Sequence, residues 1–239
     1  MPTIANLQLH LTAEDLARGW NPCARLQSQP MRAHVATILD GLNNEQWLSP
    51  AISYETHEIS AVDEDWVELG ARTRLESSPL LGHRMRHAKY LAVGVCTLGG
   101  RVSELFNDWF AEARKLQAVI LDTVATLALY QLAERCEQSI AAQATTMELK
   151  ASGSLSPGEE GFDLRQQHRI VELARGGDID VTVQGAATLV PRMSLTLVVG
   201  LGAKMAHWTR GESCSRCKAR DRCPFRSTEQ ESMTAGAAT

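Results

Sequence analysis

This 239-residue chain lacks an excess of positive charge, a membrane-spanning apolar run and an N-terminal targeting signal. Its 24 basic and 28 acidic residues give a net charge of -4, so the molecule as a whole is not built to coat nucleic acid or an anionic membrane. No uninterrupted apolar run approaches the roughly 20 residues of a membrane span. The first residues show no basic segment followed by an apolar one. These absences predict a cytoplasmic protein.

Familiar catalytic signatures are missing as well. The sequence contains no phosphate-binding loop, no nucleophile elbow, no Cys/His pair that stands out for catalysis and no internal repeat. Its 44% hydrophobic and 22% charged residues are ordinary for a globular protein that can bury a sizeable core. The sequence therefore leaves open whether the protein is an enzyme.

What the chain does have is a cluster of cysteines near its end. Cys214, Cys217 and Cys223 follow the spacing Cys-x2-Cys-x5-Cys, and His207 stands seven positions before the first of them. In a reducing compartment, thiols this close together indicate a bound metal or an iron–sulfur cluster rather than disulfides. The remaining three cysteines, at positions 23, 96 and 136, are isolated and are expected to be small buried side chains.

Hydrophobic periodicity predicts an α+β fold, with a mixed or antiparallel sheet, a long central helix and further helices packed on the sheet. The central helix is expected at residues 102 to about 142, as one long helix or two abutting ones, because this stretch has no Pro or Gly. Other helices are predicted to begin at Thr12 and to cover residues 31–42, the acidic run 63–68 and residues 163–173, the last capped by Asp163. Strands are predicted at residues 89–96, 145–151, 179–184 and 189–199, with a Gly/Pro/Ser loop at 153–161.

These elements divide the chain into four parts. Residues 1–88 form an N-terminal segment packed on the core, 89–203 the α+β core, 204–228 a basic, Cys-rich C-terminal tail and 229–239 a disordered end.

The order of elements and two short motifs carry a family resemblance. Leu155-Ser156-Pro157-Gly158 follows the long helix and a strand, and Val190-Pro191-Arg192-Met193-Ser194 opens the last strand. From about Tyr90 to Gly202 the chain resembles the activation domain of vitamin B12-dependent methionine synthase, and more closely the free-standing proteins similar to it, in which a Cys-rich tail is typical. The resemblance implies a domain that helps to restore an oxidised corrinoid on a partner.

The resemblance also implies a ligand loop for S-adenosylmethionine, formed here by Ser156, Pro157, Gly158 and Glu159. The family's loop has an Arg ahead of Pro-Gly and a Tyr after it, whereas this chain has Ser154 and Glu159 at those positions. Serine cannot pair with the ligand's carboxylate as arginine does. Binding of S-adenosylmethionine is therefore left open, and Gly158 is either a site of close ligand approach or an ordinary turn glycine.

Thiolates suit both zinc and iron–sulfur clusters, so the ligand type alone does not choose between them. The spacing resembles the cluster loop of some DNA-repair glycosylases, with His207 in the first ligand position. Pro224 directly follows the last cysteine, and the basic surround would offset the negative charge of a thiolate-bound cluster. A [4Fe–4S] cluster is predicted, with structural zinc or no metal as alternatives. The fourth ligand is predicted to be His207, with Cys23, Cys96, a small molecule or an open iron as alternatives.

Two charged stretches lie near these motifs. His83, Arg84, Arg86 and His87 either grip a phosphate or a corrinoid tail, or form a solvated loop before a strand. Glu159 and Glu160 face either a ligand or solvent.

Three functions follow from this reading. The first is an accessory protein of corrinoid-dependent methyl transfer, which docks on a corrinoid-bearing methyltransferase or corrinoid protein and supports reductive reactivation of Co(II) through the cluster. The second is a non-catalytic interaction module with a zinc site, and the third is an S-adenosylmethionine-binding, methyltransferase-like domain. The partner's identity, the methyl donor and the oligomeric state do not follow from the sequence.

Overall fold

The computed structural model describes residues 3–4, 7–14, 29–70, 73–76, 79–159, 161–223 and 225–227. Within these ranges the α-helices are α1 (Gln29–Asn44), α2 (Pro79–Met85), α3 (Arg101–Ala111), α4 (Lys115–Thr146), α5 (Gln167–Leu173) and α6 (Arg210–Arg216). The described strands are β1 (Thr3–Ile4), β2 (Ala51–Val62), β3 (Trp66–Leu69), β4 (Thr73–Glu76), β5 (Tyr90–Thr97), β6 (Lys150–Leu155), β7 (Thr182–Gln184), β8 (Thr188–Val190) and β9 (Ser194–Gly202).

Seven of these strands form one sheet in the order β4-β3-β2-β5-β9-β6, with β1 pairing with the beginning of β2. Every pairing is antiparallel. β7 and β8 make a separate two-stranded sheet. The α+β prediction is confirmed, and of the two sheet types that the sequence allowed, the structure has the antiparallel one.

The centre of the sheet is β5, which pairs with β2 on one side and β9 on the other. Its apolar side chains alternate between the two faces, as the period of two requires. Leu91, Val93 and Val95 pack on one face, whereas Ala92 and Cys96 pack on the other. The buried strand predicted at residues 89–96 is confirmed.

Helix α4 is the predicted central helix. The chain turns at Ala113, where φ is +61°, and this turn splits the expected helical stretch into α3 and the 32-residue α4. α4 packs with α1 and α3 on the sheet face that carries Ala92, while α2 and α5 cover the opposite face. Within the described part of the chain, α4 is the one helix long and apolar enough to cross a membrane, but most of it is buried, as in the core helix of a soluble protein.

Three sequence predictions about elements are wrong at their boundaries. The strand expected at 145–151 begins only at Lys150, because α4 continues to Thr146 and the chain then turns through Glu148 with φ of +57°. The loop expected from Gly153 begins after Leu155, since Gly153 lies inside β6. The expected strand 189–199 is two strands, β8 and β9, separated by Pro191, Arg192 and Met193.

Three further segments differ in type. The acidic run at 63–68 is a turn followed by β3, not a helix, because its apolar residues pair across a hairpin with β4. Residues Gly176–Ile179 form a 3-10 turn, so only the end of the strand expected at 179–184 exists as β7. The basic stretch after Pro79 lies on and just after α2 rather than on a plain loop.

Other predictions keep their type or lie outside the described residues. The helix expected at 31–42 is α1, and Asp163 does act as a cap, accepting a hydrogen bond from the Arg165 N–H before a 3-10 turn that leads into α5. The end of the helix begun at Thr12, and the residues Cys23, Glu160, Pro224 and 229–239, fall outside the described ranges.

Candidate functional site

The loop after β6 holds the four residues predicted to bind a ligand. The Ser156 N–H donates to Glu159 Oε1 at 2.9 Å, and the Gly158 N–H donates to the Phe162 carbonyl at 2.8 Å. Gly158 has φ of +95°, which favours glycine. Phe162 is 2% exposed and anchors the loop in the core. The ligand loop is therefore a fixed turn at the end of an edge strand.

The C-terminal tail runs along this edge of the sheet. Trp208, only 6% exposed, packs into the sheet face covered by α2 and α5, and its Nε1–H donates to the Ser154 carbonyl at 3.1 Å. On the other face, Phe225 packs against the core that contains α4. Trp208 thus covers the end of β6 on one face, and its ring N–H satisfies one carbonyl of this edge strand.

Helix α6 carries the first of the clustered cysteines. It begins at a capping box, in which the Thr209 hydroxyl accepts from the Glu212 N–H and the Glu212 carboxylate accepts from the Thr209 N–H. Cys214 lies on the helix and Cys217 is its C-terminal cap. The sequence thereby places two thiols three positions apart, on the last turn of one helix.

Three side chains hold the ends of the cysteine segment together, and we call them the tail clamp: Tyr130 on α4, Arg210 and Phe225. The Arg210 guanidinium lies 3.6 Å from the centre of the Tyr130 ring, and it donates to the Phe225 carbonyl at 3.1 Å. The Phe225 ring meets the Tyr130 ring edge-on at 5.9 Å. The clamp closes the segment that contains all three clustered thiols.

The structure brings two of these thiols towards the same side chain. Burial raises the pKa of Tyr130, Arg210 lowers it, and the charges of Cys223 and Cys214 raise it further. Cys214 and Cys223 are half-buried, Cys217 is exposed, and the three are free thiols. His207 is exposed on the segment before α6.

The four predicted metal ligands do not form an assembled site. Among the described residues, no three or more His, Cys, Asp or Glu side chains are grouped so that they would hold a metal ion. The sulfur donors have the right chemistry, but the four predicted ligands are not assembled around one point. The ligand set of Cys214, Cys217, Cys223 and His207 therefore stays a prediction from spacing.

Two acidic side chains belong to this region: Glu159 lies in the loop and Glu137 lies behind it on α4. The sequence predicts a role only for Glu159. Glu137 on α4 accepts from the Ser154 hydroxyl at 2.8 Å, and burial raises the pKa of its carboxyl. Burial also raises the pKa of Glu159, while the Ser156 N–H opposes that change and the Glu137 charge adds to it. Glu137 lies in a polar part of α4, close to Glu134 and Arg135, so the local sequence gives no signal for its position behind the loop.

Arg84 on α2 contacts the tail beside this loop. Its guanidinium lies 4.1 Å from the centre of the Trp208 ring, so the stacked pair joins α2 to the tail. Gly153 is required for this packing, because a Cβ there would lie 2.2 Å from the Trp208 carbonyl oxygen. The sequence shows Arg84 only as part of a basic stretch and gives no sign that Trp208, 124 positions later, packs against it.

Of the comparisons with known proteins, the one with solved structures identifies the fold. No family model matches the chain, and no curated protein matches it. Thirteen chains of solved structures match. One is the crystal structure of the MetH reactivation domain bound to AdoHcy, with a TM-score of 0.62, 12% identity, and coverage of 93% of this chain and 86% of that one. The protein has the MetH reactivation-domain fold, as the resemblance to the methionine synthase activation domain predicted.

Proposed function

We propose that this protein is an accessory protein of corrinoid-dependent methyl transfer, which docks on a corrinoid-bearing partner and supports its reactivation. The observation that carries the proposal is the shared fold, which spans 93% of this chain and 86% of the MetH reactivation domain. The likeness therefore extends over most of both chains and is not confined to one part of the fold. Fold alone does not determine function, so the proposal needs a direct test.

The test follows the cobalt itself. In a strain that lacks this protein, we expect the low-spin Co(II) signal in electron paramagnetic resonance spectra of extracts to accumulate. Adding the purified protein, a reductant and a methyl donor should lower that signal, whereas heat-denatured protein should not. An unchanged Co(II) signal in the deletion strain, with no response to added protein, contradicts the proposed function.

The finer proposal is that the tail binds a [4Fe–4S] cluster that serves this reactivation by one-electron transfer. The support is three free thiols within ten residues, on a segment held closed by the tail clamp. Exposed Arg216, Lys218, Arg220 and Arg222 surround them and would offset the charge of a thiolate-bound cluster.

Metal analysis of protein purified without air separates the alternatives. Stoichiometric iron and sulfide, lost in Cys217→Ser and retained in the matched exposed variant Ser215→Ala, supports the cluster. Stoichiometric zinc without a visible chromophore supports the interaction module with a structural metal. Metal-free protein with a colourless spectrum contradicts both.

A second candidate function is the binding of an adenosyl ligand at Ser156, Pro157, Gly158 and Glu159. The observation that favours it is the AdoHcy bound by the solved domain that shares this fold. Gly158 is exposed, and a Cβ at this position would meet only the Leu164 side chain, at 3.3 Å, so the turn is open to close approach. Calorimetric titration with AdoHcy tests this candidate, and the absence of heat at millimolar ligand contradicts it.

A further inference from the structure

Two arginines beside the predicted ligand loop have no hydrogen-bond or ion-pair partner among the described residues. Arg84 lies on α2 and Arg216 ends α6. The Arg84 guanidinium lies over the Trp208 ring, 4.1 Å from its centre. In the part of the chain that the structure describes, neither arginine side chain makes a hydrogen bond or an ion pair. They are close enough for the charge of Arg216 to add to the effect of burial in lowering the pKa of Arg84.

The carboxylates nearest to these arginines are already engaged. Glu159 Oε1 accepts from the Ser156 N–H, and Glu212 Oε2 accepts from the Thr209 N–H at 2.7 Å. Their charges partly offset the two arginines, because both raise the pKa of Arg84. Neither carboxylate comes within ion-pair distance of Arg84 or Arg216. The guanidinium N–H groups therefore remain available to another anion.

The Arg84 guanidinium beside Trp208 is suited to a carboxylate. Its N–H groups make no hydrogen bond within the described residues, and the planar fork of a guanidinium matches the two oxygens of a carboxylate. The Ser154 hydroxyl at the end of β6 donates to Glu137, so its proton is not directed at a bound carboxylate. A carboxylate at this edge of the loop would thus find its charge partners on α2 and α6.

We propose that Arg84 and Arg216 form a carboxylate-binding site beside the Ser156–Glu159 loop, and that this site holds the amino-acid carboxylate of an adenosyl ligand. The inference rests on the second proposed function, adenosyl-ligand binding at the same loop. It assigns the recognition of the ligand's amino-acid end to one core residue and one tail residue. Ligand binding at this site requires a docked tail, because Arg216 belongs to α6.

The experiment compares two ligands that differ at the amino-acid end. AdoHcy carries the carboxylate, and 5′-methylthioadenosine lacks the amino acid. In calorimetry we expect the wild type to prefer AdoHcy by about tenfold or more, since hydrogen bonds to a charged group of this kind contribute about that factor. Arg84→Gln and Arg216→Gln should each lose most of this preference and keep their affinity for 5′-methylthioadenosine.

Arg86→Gln is the matched control, because Arg86 is exposed just after α2 and takes no part in the site. It should bind both ligands as the wild type does. Arg216 lies at the exposed end of a helix, so Arg216→Gln tests the site even if Arg84→Gln loosens the packing of Trp208.

The failures of the two proposals are distinguishable. Equal affinity of the wild type for the two ligands, or equal losses for both ligands in the arginine variants, overturns the carboxylate site and leaves adenosyl binding intact. Binding of neither ligand overturns both. The corrinoid role is judged separately by the Co(II) signal.

Discussion

Gly153 is the residue on which the packing of Trp208 depends. A Cβ at this position would lie 2.2 Å from the Trp208 carbonyl oxygen and 2.5 Å from a carbon of its ring, so Trp208 or β6 would have to shift. We expect Gly153→Ala to lower the free energy of unfolding by about 2 kcal/mol, the usual size of an overpacking effect. Urea unfolding measures this change.

Gly177→Ala is the control for this substitution. No atom lies within 4 Å of a Cβ built on Gly177, and its backbone does not require glycine. We expect this variant to be neutral, or stabilised by about 0.5 kcal/mol through the reduced entropy of the unfolded chain. Equal unfolding midpoints for the two variants would contradict the proposed role of Gly153.

Glu137 makes stability depend on pH in a direction opposite to that of an ordinary ion-paired carboxylate. Burial raises the pKa of this carboxyl above its usual 4.5, so the folded state holds the proton more tightly than the unfolded chain. Its contribution to stability is therefore complete below the ordinary pKa and is lost as the pH rises through the raised pKa. Glu137→Gln removes the charge and keeps an oxygen that accepts from Ser154.

We expect Glu137→Gln to unfold at a higher urea concentration than the wild type at about pH 8, and the two midpoints to converge as the pH falls below the ordinary carboxyl pKa. Glu58→Gln, an exposed substitution on β2, should change neither the midpoint nor its pH dependence. A Glu137→Gln protein that is less stable than the wild type at high pH would show that the charged form is needed in the fold.

At the scale of elements, α6 is short, and its position depends on what holds its ends. The tail clamp supplies a cation–π contact and a hydrogen bond from Arg210. Each contributes about 1 kcal/mol. In Arg210→Ala we expect the metal-free protein to be alkylated about tenfold faster at Cys214 and Cys223, because the tail opens more often. Mass spectrometry after timed treatment with iodoacetamide measures the rates.

Cys217 is the internal reference in that experiment, since it is exposed already and should react at nearly the same rate in both proteins. Arg222→Ala is the matched control, because Arg222 is exposed and its side chain makes no contact in the described structure. Faster alkylation in Arg222→Ala as well would mean that loss of positive charge, not loss of the clamp, changes the thiols.

The elements that the sequence predicts best are those whose burial is uniform along the chain. β5 is apolar at nearly every position, and α3 with α4 has no helix-breaking residue, so both stand out from local sequence. β6 was missed at its end because Gly153 and Ser154 are typical of a turn. They are tolerated in a strand here because Trp208 packs against the glycine, which is a contact across 55 positions of the chain.

At the scale of the whole molecule, the cysteines and the residues around the Ser156–Glu159 loop differ in how well local sequence identifies them. The cysteines are recognisable from spacing, since they lie within ten residues of one another. Arg84, Glu137 and Trp208 come from α2, α4 and the tail, and only the fold brings them to the Ser156–Glu159 loop. Sequence spacing detects ligands on one segment, whereas a site assembled from three elements requires the tertiary structure.

This arrangement connects the ligand loop to the cysteines. Arg216 stands between Cys214 and Cys217 on the same helix, so a ligand held by Arg84 and Arg216 joins α6 to the core. A ligand that binds only when the tail is docked must stabilise the docked tail, because linkage is reciprocal. We expect saturating AdoHcy to slow the alkylation of Cys214 and Cys223 in the metal-free wild type about tenfold or more.

5′-Methylthioadenosine should give much less protection, since it lacks the group that Arg216 would hold. In Arg216→Gln, protection by AdoHcy should fall to the level seen with 5′-methylthioadenosine. If AdoHcy binds to the wild type by calorimetry and the alkylation rates do not change, the ligand does not reach the tail. The loop and the cysteine segment would then be independent sites on one fold, and any influence of an adenosyl ligand on the thiols would have to pass through the partner.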